Sequence, residues 1–445
     1  MADVSVVIGL GFGDEGKGTT VDFLTREKNA KLVVRFNGGA QAGHNVRGPD
    51  WTHHCFSQWG AGTLAGARTH LSRFMMVNPV FAFAEAKHLG EVGVKNPWSL
   101  MTVEEDALLT TPFQVAVNRL KELARGAGRH GSCGMGIGET MNDSLEGLAI
   151  HARDLRDWKQ VHDKLLWILR QKREQVKSIP LEGVAADDLQ REMSVFTSEC
   201  LEQTVSMFRA FADVQIVDRL WLRKELDAPG HVIFEGAQGV LLDEWCGFHP
   251  NTTWSTCTFD NAVSLISNAG NVGEVDYLGV LRTYATRHGA GVFPTESDAF
   301  KSFIKHDHNV PTPWQESMRA GALDFVLAKY AIEVANRTTG LVLTHMDSND
   351  ADRKTQVCTA YRMTDKAMPF YHFQGHWPVA TDIKIGNGHD DLERQESIGK
   401  ALATVQPLYE TIQQGELPSL VSEMLGVPIE IISNGPRAVD KERIQ

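Results

Sequence analysis

An apolar run that ends on a cluster of glycines is the feature that most narrows what this chain can fold into. Residues 4–10 (VSVVIGL) are nearly all apolar, and Gly11, Gly13, Gly16 and Gly18 follow at close spacing. A run of this kind bounded by glycine reads as a buried strand, and the segment from Lys17 through Leu24 as the helix after it. A second such run over residues 31–36 ends in another glycine-rich stretch, NGGAQAGH. Strand, loop, helix, strand predicts an α/β fold built on a large, mostly parallel central sheet. Further strands are expected over 231–234, 275–281, 340–344 and 428–432. The stretch 155–226 differs, with Trp158, Leu165, Leu166, Ile168 and Leu169 at helical spacing and a break near Ile179 and Pro180. It reads as a helical subdomain inserted into a single domain spanning 1–445.

Two motifs overlap in the first glycine loop. Gly11 to Gly16 fits G-x-G-x-x-G, and Gly11 to Lys17 fits G-x-x-x-x-G-K. The dinucleotide reading needs an acidic residue about 20 positions on, at the end of the second strand, to hold a ribose. That strand ends in Arg35-Phe36-Asn37, so this reading fails. The phosphate-loop reading gains from Lys17, whose ammonium neutralises phosphates while loop N–H groups cradle them. Yet Gly18 stands where a phosphate loop places the Ser or Thr that ligates Mg²⁺. The missing hard oxygen points to Asp14 as the cation ligand. In the second loop, dense glycine lets backbone approach a ligand closely, and His44 at its end is a candidate general acid.

Composition removes several classes of function. Across 445 residues, 44 Lys and Arg against 56 Asp and Glu leave a formal charge of −12. No basic field is available to hold nucleic acid or an anionic membrane. No apolar run reaches the roughly 20 residues that cross a bilayer. The opening residues lack a basic stretch ahead of the apolar one, so no secretory leader is expected. Six cysteines without C-x-x-C spacing argue for reduced thiols and a cytoplasmic location.

The blocks GFGDEGKGTTVDFL, VVRFNGGAQAGHNV, FEGAQGVLLD, LGVLRTYATRHGAGVFPTE, THMD and EIISNGP occur in an order that resembles the adenylosuccinate synthetase family. The likeness runs from Val4 to Pro436. It implies a ligase that joins L-aspartate to C6 of a 6-oxopurine nucleotide, normally IMP, using GTP and Mg²⁺ on a homodimer. The 6-oxygen is phosphorylated first, and the aspartate amine then displaces phosphate. On that resemblance Asp14 is the base that takes the N1 proton, and His44 the acid at the transferring phosphoryl group. Lys17 and the loop Gly13, Glu15, Gly16 and Gly18 hold the donor phosphates, and Gln238 faces the purine edge. Asp14 and the Gly43 carbonyl ligate Mg²⁺. Asp347 pairs with the guanine N1 and N2 hydrogens, with His345, Ser433, Gly435 and Pro436 lining the same pocket. Gln41, Ser132, Cys133 and Thr253 surround the acceptor nucleotide, and Thr312 and Arg319 face the aspartate carboxylates.

Departures from the family pattern bear on the substrates. Cys133 and Met135 replace a threonine and an arginine of the family, and residues 146–148 (EGL) stand where it supplies an arginine to the 5′-phosphate across the dimer. An acid there repels phosphate. His345 replaces a lysine stacked on the donor base, which leaves ATP open as donor. Two alternatives therefore stand beside IMP: a dGMP- or GMP-specific synthetase of the 2-aminopurine branch, and a GTP-binding sensor without turnover.

Overall fold

The computed structural model describes residues 1–303, 317–348, 354–364, 367–373, 378–386 and 391–444. Ten strands form the central sheet. They are β1 (Ala2–Gly9), β2 (Leu32–Arg35), β3 (Arg68–Leu71), β4 (Met101–Glu104), β5 (Gln215–Val217), β6 (Gly230–Glu235), β7 (Val275–Arg282), β8 (Gly340–Thr344), β9 (Ile429–Ser433) and β10 (Lys441–Arg443). Their spatial order is β5-β4-β3-β2-β6-β1-β7-β8-β9-β10. Every neighbouring pair is parallel except β9 with β10. The fold is α/β with a large, mostly parallel central sheet, as the sequence predicts.

Inner strands are apolar on both faces because helices cover both. Val4, Val6, Ile8, Leu32 and Val34 pack into one core, and Val7, Val33 and Ile233 into the other. Each such side chain contributes about 1.5–3 kcal/mol of burial. Strands β2 to β5 lie on one side of the central pair β6 and β1, and β7 to β10 on the other. The connections therefore diverge at the middle of the sheet, which opens a crevice at the carboxyl ends of β1, β6 and β7.

The stretch 155–226 is helical for most of its length, in Trp158–Lys177, Ala186–Met193, Ser198–Phe211 and Arg219–Asp227. The first of these stops just before Ile179 and Pro180. The segment also returns to the sheet, since β5 pairs with β4 at its edge. Three residues, QIV, give too short an alternation to announce a strand.

A second, six-stranded sheet has no counterpart in the sequence reading. Its strands are Tyr284–His288, Met318–Asp324, Lys354–Arg362, Tyr371–Phe373, Val379–Ile383 and Gln406–Gln413. β7 runs into the first of these through the single residue Thr283, so the TRHGAG segment belongs to the second sheet and is delivered to the mouth of the first. Among the described residues no helix is long and apolar enough to cross a membrane.

Candidate active site

The loop after β1 is organised by its own glutamate. Glu15 is buried and its Oε1 accepts the N–H groups of Gly11 at 3.0 Å and Gly13 at 2.7 Å. Its Oε2 lies 2.6 Å from the Lys17 ammonium. Gly9 is close enough that an added Cβ would sit 2.1 Å from Glu15 Oε2, which explains glycine there. Glu15, expected at the nucleotide, instead points into the loop, and the Gly13 N–H is spent on it. Lys17 is buried as half of this pair and begins α1 (Lys17–Lys28) behind Gly16, whose φ of 102° needs no side chain. The next position, Gly18, packs directly on the second loop: an added Cβ would lie 2.7 Å from the Cβ of His44.

His44 opens a hairpin, His44–Arg47 against His53–Phe56. Its Nδ1 lies 2.5 Å from Oε1 of Glu235, the last residue of β6, and both are buried. Glu235 Oε2 accepts the Ala61 N–H at 2.9 Å. Burial keeps the His44 ring below the usual histidine range in spite of the carboxylate beside it. Burial also pushes Glu235 up, but His44, Arg35 and the Ala61 N–H together hold it below its ordinary value. With burial disfavouring charge on the ring, its Nδ1–H donates to the Glu235 carboxylate. The sequence reading did not single out Glu235, although it ends a strand and starts the EGAQG block.

Two loops are clasped around the place expected for the purine. Asn37 Nδ2 donates to the Ala237 carbonyl at 3.0 Å, and its Oδ1 accepts the Ala237 N–H at 2.7 Å. Gln238 follows with φ of 58°, and its Nε2 is buried without a partner among the described residues. Both amide atoms of Gln41 are in the same condition. Unpaired buried amides cost about 1–3 kcal/mol each unless a ligand satisfies them. Ser255 Oγ accepts the Gly38 N–H at 2.9 Å, which brings the segment carrying Thr253 against the same loop.

Asp14 has φ of 62° at the tip of the first loop, and its side chain is half-exposed. Arg282, at the end of β7, donates to the Asp14 carbonyl at 2.8 Å and contacts the Tyr284 hydroxyl. His288 Nε2 lies 3.3 Å from Asp14 Oδ2, a neighbour the sequence reading also did not single out. Among the described residues no group of three or more His, Cys, Asp or Glu side chains forms a metal cage. A lone half-exposed carboxylate and a backbone carbonyl, Asp14 and Gly43, are hard oxygen donors. They fit a Mg²⁺ that arrives with phosphates and keeps much of its water.

At the ends of β8 and β9, Asp347 is exposed and His345 packs edge-on to Tyr284, with ring centroids 5.8 Å apart. Ser433 Oγ donates to the Gly435 carbonyl at 3.0 Å, and Lys441 holds the Gly435 and Arg437 carbonyls at 3.3 and 3.1 Å. Pro436 lies within that tied loop. Burial brings the Lys441 ammonium down to about 8, against the pull of Asp22, Asp440 and Asp347.

Ser132 is committed to structure, exchanging hydrogen bonds with Asn118 at 3.1 Å. Burial lifts the adjacent Cys133 thiol to about 11. The loop that carries them touches the TRHGAG segment, since a Cβ on Gly131 would lie 2.7 Å from the Ala290 nitrogen. Arg319 donates to the Gly289 and Gly291 carbonyls at 3.2 and 2.8 Å, and its other arm pairs with Glu296 at 2.6 Å. Its donors brace the loop rather than standing open for a carboxylate. Thr312 lies outside the described residues.

Residues 6–441 match the family model described as Adenylosuccinate synthetase. The chain is 30% identical over 447 residues to the adenylosuccinate synthetase of Bdellovibrio bacteriovorus, covering 97% of this chain and 96% of that one. It is 29% identical over 449 residues to the enzyme of Clostridium botulinum, covering 99% and 98%. Among solved structures, the fully ligated adenylosuccinate synthetase of Plasmodium falciparum superposes with TM-score 0.79 at 19% identity, over 99% of this chain and 100% of that one. The succinoaminodeoxyadenylate synthetase of cyanophage S-2L, bound to dGMP and dATP, gives TM-score 0.58 at 14% identity, over 100% and 95%. The chain belongs to the adenylosuccinate synthetase family, whose members are ligases that form carbon–nitrogen bonds.

Proposed function

We propose that the protein joins L-aspartate to C6 of a 6-oxopurine nucleotide, IMP in the first place, at the expense of GTP, as a cytoplasmic homodimer. The observation that carries this reading is a buried His44 backed by the Glu235 carboxylate, on the glycine loop that packs against the one carrying Asp14 at its tip. A 6-oxygen is a poor leaving group until it is phosphorylated, and it becomes a nucleophile only when N1 loses its proton. Asp14 takes that proton. With Nδ1 committed to Glu235, His44 presents Nε2 to the phosphoryl group, and the Glu235 charge favours the protonated ring as negative charge arrives. Lys17, paired with Glu15 until the donor arrives, neutralises the donor phosphates. Asp14 and the Gly43 carbonyl would hold a Mg²⁺, which would supply neutralisation of charge during transfer. The unpaired amides of Gln41 and Gln238 take up the purine edge. Asp347 accepts two adjacent N–H groups from guanine, a pair that adenine does not offer.

A second reading takes dGMP as acceptor, and the cyanophage protein of the same fold, bound to dGMP and dATP, favours it. The test is phosphate release from GTP with Mg²⁺ and aspartate against IMP, dIMP, GMP, dGMP and inosine, with mass spectrometry of each product. A succino-purine from IMP is the expected result, and Asp14→Ala should abolish it while donor binding persists. Product from dGMP or GMP alone would install the second reading. Tight GTP binding without product from any acceptor would replace both with a sensor.

A further inference from the structure

We infer that His288 is a two-handed positioning residue: Nε2 braces the Asp14 carboxylate, and Nδ1 is held for a polar group of the acceptor nucleotide. This rests on the reading of Asp14 as the base and adds a residue to it.

The backbone around His288 is pinned on every side. Its strand pairs with Met318–Asp324, with His288 opposite Met318. Arg287 is buried and donates to the carbonyls of Ala290 at 3.1 Å, Val292 at 2.8 Å and Asn251 at 3.1 Å. Its guanidinium also lies over the Phe12 ring, 4.2 Å from the centroid. Arg319 holds Gly289 and Gly291 from the other direction. Three carbonyls and an aromatic face are more than is needed to anchor a surface turn. They fix where the next side chain must go.

That side chain is under-satisfied. Its Nε2 lies 3.3 Å from Asp14 Oδ2, close enough that a small shift on ligand binding would form a hydrogen bond. Its Nδ1 is shielded from solvent and has no hydrogen-bond partner among the described residues. A buried imidazole nitrogen without a partner is costly, so a purely structural histidine here would be a poor choice. Asp14 stands against the imidazole, and the backbone one residue further on abuts the loop of Ser132 and Cys133, where an added Cβ on Gly289 would lie 2.9 Å from the Gly131 Cα. The segment that carries the imidazole thus links the proposed base to the loop expected to surround the acceptor. Bracing one carboxylate oxygen leaves the other in a defined direction, which orientation-dependent proton transfer requires.

Three substitutions separate the two hands. Glutamine places an amide N–H near the Nε2 position, asparagine places a polar group near the Nδ1 position, and leucine supplies neither. The measurements are kcat, acceptor KM and calorimetric binding of IMP and of dGMP, on the full chain. His288→Leu should lower kcat by about 10- to 100-fold and weaken acceptor binding by about tenfold. His288→Gln should recover most of the kcat but not the binding, and His288→Asn the binding but not the kcat. Three variants indistinguishable from one another, or from wild type, would overturn the inference. A wild type that binds IMP or dGMP without turnover would sink the ligase reading instead. The Asn-against-Leu difference in binding would still decide the Nδ1 contact, and loss of the Nε2 role would follow. Binding of neither nucleotide would overturn both.

Discussion

Replacing Gly18 by serine would restore the residue that a phosphate loop places after its lysine, and the structure predicts that this inactivates the protein. A β-carbon at position 18 would lie 2.7 Å from the His44 Cβ, 3.1 Å from its Cα and 3.2 Å from its carbonyl carbon. Carbon atoms rest about 3.5–4.0 Å apart, so the two segments must separate by about 1 Å. The obstacle is backbone and Cβ, not the tip of a flexible side chain. Either the hairpin moves and draws His44 off Glu235, or α1 moves and carries Lys17 with it. A displacement of about 1 Å in a reacting constellation costs about 100-fold in rate, equivalent to about 2.7 kcal/mol. Overpacking costs a further ~1–3 kcal/mol of stability, offset by about 0.5 kcal/mol of helix propensity gained over glycine for serine and about 1 kcal/mol for alanine. Gly18→Ala isolates the carbon from the hydroxyl. Both variants should show kcat reduced about 100-fold with a lowered Tm. If serine leaves kcat within about threefold of wild type and tightens the Mg²⁺ dependence, the close approach is dispensable and the cation shell includes position 18.

Three further substitutions test other parts of the structure. Glu235→Gln keeps the shape of the His44 contact but removes its charge. It should lower kcat by about 100-fold with little change in KM for the donor, and a normal kcat would leave His44 without a role for its partner. Asp347→Asn should weaken GTP relative to ITP and ATP in competition assays, and an unchanged ranking would place the donor base elsewhere. Asp324 caps the helix Phe325–Ala335 and accepts the Tyr361 hydroxyl at 2.5 Å, yet burial lifts its carboxyl from 3.8 to about 6. The folded chain therefore holds this proton more tightly than the unfolded one. Its contribution is complete below about pH 4 and falls by roughly 3 kcal/mol as pH rises through 6. Asp324→Asn should flatten that limb of the urea-midpoint profile, whereas parallel profiles would mean the carboxyl ionises normally.

What the sequence made legible was the part whose physics is local. β1, β2 and β6 to β9 announce themselves because largely buried strands are rich in apolar residues, with only isolated polar positions such as Asp276 and Glu430. The glycine loop does so because Asp14, Glu15 and Lys17 have no reason to share a mere turn. The direction of Glu15 was not legible. Its choice between a nucleotide and the N–H groups of Gly11 and Gly13 depends on Gly9 leaving room behind it. Glu235 and His288 escaped because each acquires meaning only from a distant partner, His44 in one case and Asp14 in the other. The second sheet escaped because its strands differ in burial, from the mostly buried Met318–Asp324 to the largely exposed Gln406–Gln413, so no single period runs through them. Arg319 shows the opposite error. An arginine near the expected aspartate loop suggests a carboxylate clamp, but its donors already brace backbone carbonyls.

The clasp between the loops after β2 and β6 bears on how the molecule comes into being. His44 and Glu235 are separated by 191 positions, Asp14 and its Arg282 brace by 268, and the Glu15 carbonyl and Thr344 by 329. Contacts of such span close late, because their loop entropy must be overcome before any of them is rewarded. The helices and the run β2–β3–β4, neighbours in sequence as in the sheet, can form early, while the reactive constellation waits for β6 to dock between β2 and β1. A partly folded chain is thus a protein with its scaffold largely in place and no competent chemistry.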